Sequence, residues 1–240
     1  MIAIAGFERL STVDWPGCVS AVVFTPGCSL NCAYCHNREL LSCENSPRIS
    51  VETVLTSLRA RRGFLDGLVI SGGEPTLQEG LERFIRKVRS LGFSVKLDTN
   101  GTRPEVLSHL LNEGLLDYVA MDAKAPYGLY EDVCGGPVDL DAVHESARCL
   151  VKGPTPFEFR TTVLPYFRPR DISAIGDAIH GAPRYVLQQF RPDKEMALRD
   201  PRLAEPPHTA QWFGARVAEL TPRFPDVLTR GVRQRAVSTG

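Results

Sequence analysis

Three cysteines, Cys28, Cys32 and Cys35, lie within eight residues in a CxxxCxxC spacing. They follow the apolar run 21–25, which has the pattern of a buried strand, so they fall in the loop at its carboxyl end. Thiolates this close in sequence can bind a single metal centre. A four-iron cluster held by only three cysteines leaves one iron open to another ligand, and this is the chemistry that the spacing favours.

The residue after the third cysteine, His36, provides an alternative interpretation. A structural zinc site closes its tetrahedral shell with four protein ligands, and His36 could be the fourth. Four further cysteines have no mutual ligand spacing and are interpreted as free thiols that pack as small hydrophobic residues. They are Cys18, Cys43, Cys134 and Cys149.

Six strands, each followed by a helix, are predicted to position this loop. The strands are 20–25, 68–70, 93–97, 116–121, 157–164 and 185–189. The alternation indicates an α/β fold with parallel strands and right-handed crossovers, preceded by an N-terminal hairpin or extension over 2–17. A closed eightfold barrel usually takes about 250 residues, so an incomplete (β/α)6 barrel is expected. We predict one domain over 1–220, with a core of about 18–190, and a C-terminal tail over 221–240.

Unusual residues follow four of these strands. In parallel α/β barrels the loops at the carboxyl ends of the strands converge, so these residues are expected to form one site. Glycines at 72 and 73 would let a ligand approach the backbone closely. Taken alone, 98–101 could be a tight turn, and Asp122 with Lys124 a surface ion pair. Their positions at 122 and 124 nevertheless put both side chains on the same side of the strand.

The cysteine loop closely resembles that of the radical S-adenosylmethionine (radical SAM) superfamily, and Gly72-Gly73-Glu74-Pro75 matches its glycine-rich motif. The resemblance implies a 4Fe-4S cluster whose open iron is chelated by S-adenosylmethionine. It places Tyr34 against the adenine and the backbone of Gly72 to Glu74 at the methionine amino group. His36 and Asn37 follow the family pattern, either as backbone contacts and loop support or in catalysis.

The Asp98-Thr99-Asn100-Gly101 and Met121-Asp122-Ala123-Lys124 stretches narrow the resemblance to the activating enzymes of glycyl radical enzymes. Within that group the chain most resembles the anaerobic ribonucleoside-triphosphate reductase activating proteins, whose opening is similar to Gly6-Phe7 through Asp14-Trp15-Pro16-Gly17 here. The resemblance implies a monovalent cation held by Asp98, Thr99, Asp122 and the carbonyl of Ala120. It also implies cofactor contacts, which are Asn100, Lys124, Arg160 and Gln189. A Pro-Tyr-His found in related enzymes is replaced here by Gln188-Gln189-Phe190.

The implied reaction is reductive cleavage of S-adenosylmethionine to a 5′-deoxyadenosyl radical, which removes a hydrogen atom from a glycine of a partner protein. No side chain is then needed as a catalytic acid or base. The implied partners are a glycyl radical enzyme and a reductant of the flavodoxin or ferredoxin type. Two alternatives stay open: a small-molecule radical SAM enzyme similar to 7-carboxy-7-deazaguanine synthases, and a non-enzymatic iron-sulfur electron carrier.

Composition limits the other function classes. The 240 residues are 43% hydrophobic, and 28 basic residues balance 28 acidic ones, which is not the charge pattern of a nucleic-acid-binding protein. No apolar run approaches the roughly 18 residues that span a bilayer, and the start of the chain lacks a signal-peptide pattern. Seven cysteines, three of them in one loop, favour metal binding in a reducing compartment. We therefore predict a cytoplasmic protein without nucleic-acid or membrane partners.

Overall fold

The computed structural model describes residues 2–42 and 48–232, and within these ranges it contains eight strands and eight α-helices. The strands are β1 (Gly6–Ser11), β2 (Ser20–Thr25), β3 (Gly67–Gly72), β4 (Ser94–Thr99), β5 (Tyr118–Asp122), β6 (Phe157–Val163), β7 (Arg184–Gln189) and β8 (Asp226–Arg230). The helices are α1 (Val51–Arg59), α2 (Leu81–Ser90), α3 (Pro104–Asn112), α4 (Tyr130–Cys134), α5 (Leu140–Lys152), α6 (Pro169–Ala178), α7 (Lys194–Arg199) and α8 (Ala210–Leu220). Cys43 lies outside the described residues.

The chain divides into two compact units. Unit one contains Met1–Asn31, His36–Met121 and Val138–Phe157, as far as these ranges are described. Unit two contains Cys32–Cys35, Asp122–Pro137 and the described part of Glu158–Gly240. The single domain over 1–220 stays a prediction.

In unit one the strands pair in the order in which they occur in the chain. The predicted N-terminal extension over 2–17 contains one strand, β1, which is antiparallel to β2, and β2 to β5 pair in parallel. Residues 68–70 of β3 are fully buried, as expected for a parallel strand that is covered on both faces. Trp15 packs with Val22 and Val69 on one face of the sheet, beside the partly buried Tyr118.

The helices of unit one place apolar residues at helical spacing on one face. α2 buries Leu81, Phe84, Ile85 and Val88 on one face. The hydroxyl of Ser50 caps α1 by accepting from the amide of Thr53, and this satisfies one of the free amides at the helix start. Parallel strands alternating with helices confirm the predicted α/β class.

Unit two contains a parallel trio of strands, β6, β7 and β8. The prediction of a tail over 221–240 is wrong for Asp226–Arg230, because these residues form β8 and pair with β7. An ion pair at 2.9 Å between Arg230 and the fully buried Glu158 joins β8 to β6. The segment 191–207 contains the short helix α7. No helix among the described residues is long and apolar enough to cross a membrane.

Candidate functional site

The glycine-rich loop of unit one is held by backbone contacts that leave no room for side chains. The amide of Gly73 donates to the carbonyl of Thr25 at 2.8 Å, and the amide of Glu74 donates to that of Gly27 at 2.7 Å. A Cβ on Gly73 would stand 2.1 Å from the Gly27 oxygen, and one on Gly72 would stand 2.3 Å from the Thr25 nitrogen. The loop therefore lies directly against the segment that leads into the cysteines.

Replacing Gly73 with alanine is expected to lower the free energy of unfolding by about 2–3 kcal/mol, because backbone atoms cannot move aside as a flexible side chain can. Chemical denaturation of the purified variant measures this change. The control is Gly214→Ala in α8, where an added Cβ meets nothing within 4 Å and alanine favours the helix. Equal stability of the Gly73→Ala variant and the wild type would contradict this close approach.

The carboxylate of Glu74 connects the loop after β3 to the end of β4. Glu74 is fully buried, and its Oε1 accepts from the amide and hydroxyl of Thr76 at 3.1 and 2.6 Å and from the hydroxyl of Thr99 at 2.8 Å. Its Oε2 accepts from the amide of Asn100 at 2.7 Å. Burial raises the pKa of Glu74, and these hydrogen bonds oppose the rise. The glycine-rich motif predicted a role only for the backbone of Glu74, and this role of its side chain was not predicted.

Asn100 of unit one contacts the start of the cysteine loop. Its Nδ2 donates to the Ser29 hydroxyl at 3.1 Å and to Cys28 Sγ at 3.8 Å. The amide of Leu30 also donates to Cys28 Sγ, at 3.4 Å. Hydrogen-bond donors aimed at sulfur stabilise a thiolate, the form in which cysteine binds metals. The role of Asn100 as a cofactor contact stays a prediction, and the structure adds its support of the loop.

Asp98, a predicted cation ligand in unit one, already has two partners. Its Oδ1 forms an ion pair with the ammonium of Lys96, and its Oδ2 accepts from the Ser71 hydroxyl at 3.2 Å. Lys96 is fully buried within β4. No sequence motif pointed to Lys96, although a lysine between the apolar residues of a strand is an unusual signal.

In unit two, the carboxylate of Asp122 forms ion pairs with two positively charged side chains. Lys124 Nζ lies 3.2 Å from Asp122 Oδ2, and Arg160 Nε and Nη2 each lie 3.0 Å from Asp122 Oδ1. Within the same unit, the amide of Ala123 donates to the carbonyl of Arg160 at 2.8 Å, which holds the backbone next to Asp122 beside that of Arg160. The side chains of Lys124 and Arg160 are only 13% and 12% exposed, so this is a shielded charge cluster and not the surface ion pair considered above.

Tyr34 and Cys32 lie beside this cluster in unit two. Lys124 Nζ is 5.9 Å from the centre of the buried Tyr34 ring, within the range of a cation–π contact. A hydrogen bond with the Cys134 side chain and the positive charge of Lys124 lower the pKa of Cys32 to about 6, against the effect of burial. Cys134 is buried, as predicted for a packed thiol, but its contact with Cys32 was missed.

The segment 191–207 contributes to the cysteine loop within unit two. Arg199 Nε, in α7, donates to the carbonyl of Ala33 at 3.1 Å, and the amide of Cys35 donates to the carbonyl of Cys32 at 3.1 Å. Gln189, predicted to contact the cofactor, donates from Nε2 to the carbonyl of His208 at 2.8 Å. His36 is exposed.

Within 2–42 and 48–232, no three or more His, Cys, Asp or Glu side chains are grouped to hold a metal ion. The cluster ligands Cys28, Cys32 and Cys35 and the cation ligands Asp98, Thr99 and Asp122 therefore stay predictions. The chemistry of the donor set fits an iron-sulfur cluster, because Cys28 accepts hydrogen bonds at sulfur and Cys32 favours the thiolate.

Comparison with known proteins places the chain in a family. The radical SAM superfamily pattern matches residues 22–179. A Methanocaldococcus jannaschii protein described as a glycyl-radical enzyme activating enzyme is 35% identical over 195 residues, which cover 79% of this chain and 80% of that protein. The pyruvate formate-lyase 1-activating enzyme of Escherichia coli K12 is 33% identical over 129 residues, 50% of this chain and 51% of that enzyme.

Solved structures agree on the fold. SuiB of Streptococcus suis, bound to its precursor peptide SuiA, matches with a TM-score of 0.66 at 12% identity, over 88% of this chain and 48% of SuiB. Coproporphyrinogen III oxidase of Escherichia coli, a radical SAM enzyme, matches with a TM-score of 0.60 at 15% identity, over 84% and 51% of the two chains. The chain thus spans about half of each of these proteins. It belongs to the radical SAM superfamily of enzymes, and within it is homologous to the glycyl-radical enzyme activating enzymes.

Proposed function

We propose that this protein generates a glycyl radical on a partner enzyme, and that the partner is an anaerobic ribonucleoside-triphosphate reductase. The observation that carries the proposal is the match to an activating enzyme over four-fifths of both chains. The Asp98–Gly101 and Met121–Lys124 stretches, on which the resemblance to glycyl-radical activating enzymes rests, lie within the radical SAM match. The choice of a reductase as partner rests on the opening of the chain, Gly6-Phe7 through Asp14-Trp15-Pro16-Gly17. The reductant is proposed to be a flavodoxin or a ferredoxin.

Cys28, Cys32 and Cys35 are the proposed ligands of a 4Fe-4S cluster. When bound, the cluster supplies the electron that cleaves S-adenosylmethionine to methionine and a 5′-deoxyadenosyl radical, as the superfamily resemblance implies. The chain supports this chemistry through the donors to Cys28 Sγ and through the contacts that favour the thiolate of Cys32. Arg199 would hold the loop between the second and third ligands by binding the carbonyl of Ala33.

The glycine-rich loop is proposed to bind the amino group of S-adenosylmethionine. An ammonium group is a hydrogen-bond donor and needs acceptors. Because the amides of Gly73 and Glu74 are used by the carbonyls of Thr25 and Gly27, the loop would present carbonyl oxygens to the amino group. The buried Glu74 carboxylate would keep those carbonyls in place without touching the cofactor itself.

Tyr34, Lys124 and Arg160 are the proposed contacts for the remaining parts of the cofactor. Tyr34 offers a buried ring for stacking, and burial raises its pKa, so the phenol stays neutral. Lys124 and Arg160 offer positive charge, and Asp122 fixes both in position. His36 and Gln189 are retained as candidate contacts, although Gln189 already binds a backbone carbonyl.

The experiment is an anaerobic activation assay. The reconstituted protein is reduced and mixed with S-adenosylmethionine and a glycyl radical ribonucleotide reductase from the same genome. We expect 5′-deoxyadenosine, measured by chromatography, together with a glycyl radical signal in electron paramagnetic resonance. The matched control is the same reductase with its radical-bearing glycine replaced by alanine, which should give no glycyl radical signal.

Two other outcomes would redirect the proposal. Cleavage of S-adenosylmethionine without a radical on this reductase, but with one on another glycyl radical protein, would change the partner. Cleavage without a radical on any such protein would favour a small-molecule substrate. Failure to bind or cleave S-adenosylmethionine would overturn the proposed activity itself.

A further inference from the structure

Lys96 is a fully buried lysine in the middle of a parallel strand of unit one. It lies between Val95 and Leu97, both fully buried, and opposite Val69 of β3 and Tyr118 of β5. Residues directly opposite one another in a sheet point to the same face. The aliphatic part of Lys96 therefore lies on the face where Val69 and Tyr118 pack with Trp15.

The ammonium of Lys96 is used at the carboxyl end of β4. Positions 96 and 98 share a face of the strand, and the ammonium forms an ion pair with Asp98 Oδ1. Ser71, two residues after Val69 on the neighbouring strand, donates to the other carboxylate oxygen at 3.2 Å. The alkyl chain of Lys96 thus lies along an apolar face, and its ammonium lies at the strand end where the candidate site begins.

Two shielded carboxylates, Asp98 and Glu74, lie at this end of the sheet, and a positive charge there would offset their negative charge. The side chain of Asp98 is only 12% exposed and Glu74 is fully buried. Glu74 is held by the neutral donors of Thr76, Thr99 and Asn100. A shielded carboxylate such as Asp98 is costly without a cation beside it, and either a free ion or a side chain can provide one.

We propose that Lys96 is a built-in cation, whose ammonium takes the place of a free Na⁺ or K⁺ ion on Asp98. The candidate site would then need no added monovalent cation at Asp98. The relevance to S-adenosylmethionine binding rests on the proposed function, whereas the occupation of Asp98 by an ammonium does not. Removing the lysine should turn Asp98 into an ion site that the wild-type chain lacks.

The test compares melting temperatures of the iron-free protein in NaCl, KCl and tetramethylammonium chloride at equal ionic strength. The wild type should melt at the same temperature in all three salts. Lys96→Ala, which leaves a space beside Asp98, should melt lower in tetramethylammonium chloride. Na⁺ or K⁺ should then raise its melting temperature by about 3 °C or more in a saturable way, because an ion that binds only the folded state stabilises it.

Matched variants separate charge from packing. Lys96→Met fills the space without charge and should show no such recovery. Adding Asp98→Asn to Lys96→Ala should abolish the recovery, since the ion loses its carboxylate. An equal response of Lys96→Ala and Lys96→Met to the three salts would overturn the proposal.

If Lys96→Ala does not fold, measurements on the wild type test the proposal instead. The iron-free wild type should melt at the same temperature in Na⁺, K⁺ and tetramethylammonium, and the affinity of the reconstituted wild type for S-adenosylmethionine should change less than twofold among these salts. A specific stabilisation of the wild type by Na⁺ or K⁺ that Asp98→Asn removes would overturn the built-in cation. Failure of the reconstituted wild type to bind S-adenosylmethionine in any of these salts would contradict the proposed function but leave the melting result intact.

Discussion

Replacing Cys28, Cys32 or Cys35 with alanine is expected to abolish the cleavage of S-adenosylmethionine. Each variant leaves two thiolates where the proposed cluster needs three, and a cluster with fewer protein ligands is not retained in a form that can bind the cofactor. The measurement is 5′-deoxyadenosine formed by the reduced, reconstituted protein, together with iron per chain and the visible absorption of the cluster. For all three variants we expect 5′-deoxyadenosine only at the background level of the assay.

Two other cysteines provide controls for this result. Cys18→Ala and Cys149→Ala remove partly exposed thiols away from the CxxxCxxC spacing and should retain iron and activity. Cys134→Ala should retain the cluster but change its spectrum or potential, because Cys134 is hydrogen-bonded to Cys32. Full cleavage by any of the three loop variants would contradict the ligand assignment.

Replacing Glu74 with alanine is expected to lower the free energy of unfolding by about 4 kcal/mol. The change removes the acceptor of four hydrogen bonds, and it leaves donors of Thr76, Thr99 and Asn100 buried without that partner. A buried donor without a partner costs about 1–3 kcal/mol, and local relaxation recovers part of the sum. Urea denaturation of the iron-free protein measures the change without interference from the cluster.

The control for Glu74 is Glu79→Ala, which changes an exposed acid five residues further along the chain. It should leave stability within about 0.5 kcal/mol of the wild type. Glu74→Gln keeps one acceptor oxygen but points an amide donor at other donors, so we expect an intermediate loss. Equal stability of Glu74→Ala and Glu79→Ala would show that the carboxylate does not hold the loop.

The fold was largely predictable because its parallel strands are short, uninterrupted apolar runs separated by amphipathic helices. Residues 68–70 and the apolar face of α2 carry this signal directly. β8 carries no such signal, since its residues are partly or fully exposed. It is fixed by pairing with β7 and by ion pairs from Arg230 to Glu158 and from Arg184 to Asp226, which depend on residues more than 40 positions away.

The candidate site was predictable where its residues form local motifs. The cysteine loop and the glycine-rich loop have a recognisable spacing, and Asp122 and Lys124, which form an ion pair, are only two residues apart. The supporting contacts were not predictable, because the partner of each residue comes from a distant segment. Cys134 meets Cys32, Arg199 meets Ala33, and the Glu74 carboxylate meets the end of β4 only after the chain has folded.

The contact between Arg199 and Ala33 bears on when the protein can mature. In unit one each strand pairs with the next strand along the chain, so this sheet can grow while the ribosome is still at work. The carbonyl of Ala33, by contrast, can accept its hydrogen bond only after Arg199, 166 residues later in the chain, has been synthesised. At about 5–20 residues per second, synthesis of that interval takes about 10–30 s. If the cysteine loop binds iron, insertion into a loop that Arg199 supports would therefore follow the synthesis of α7.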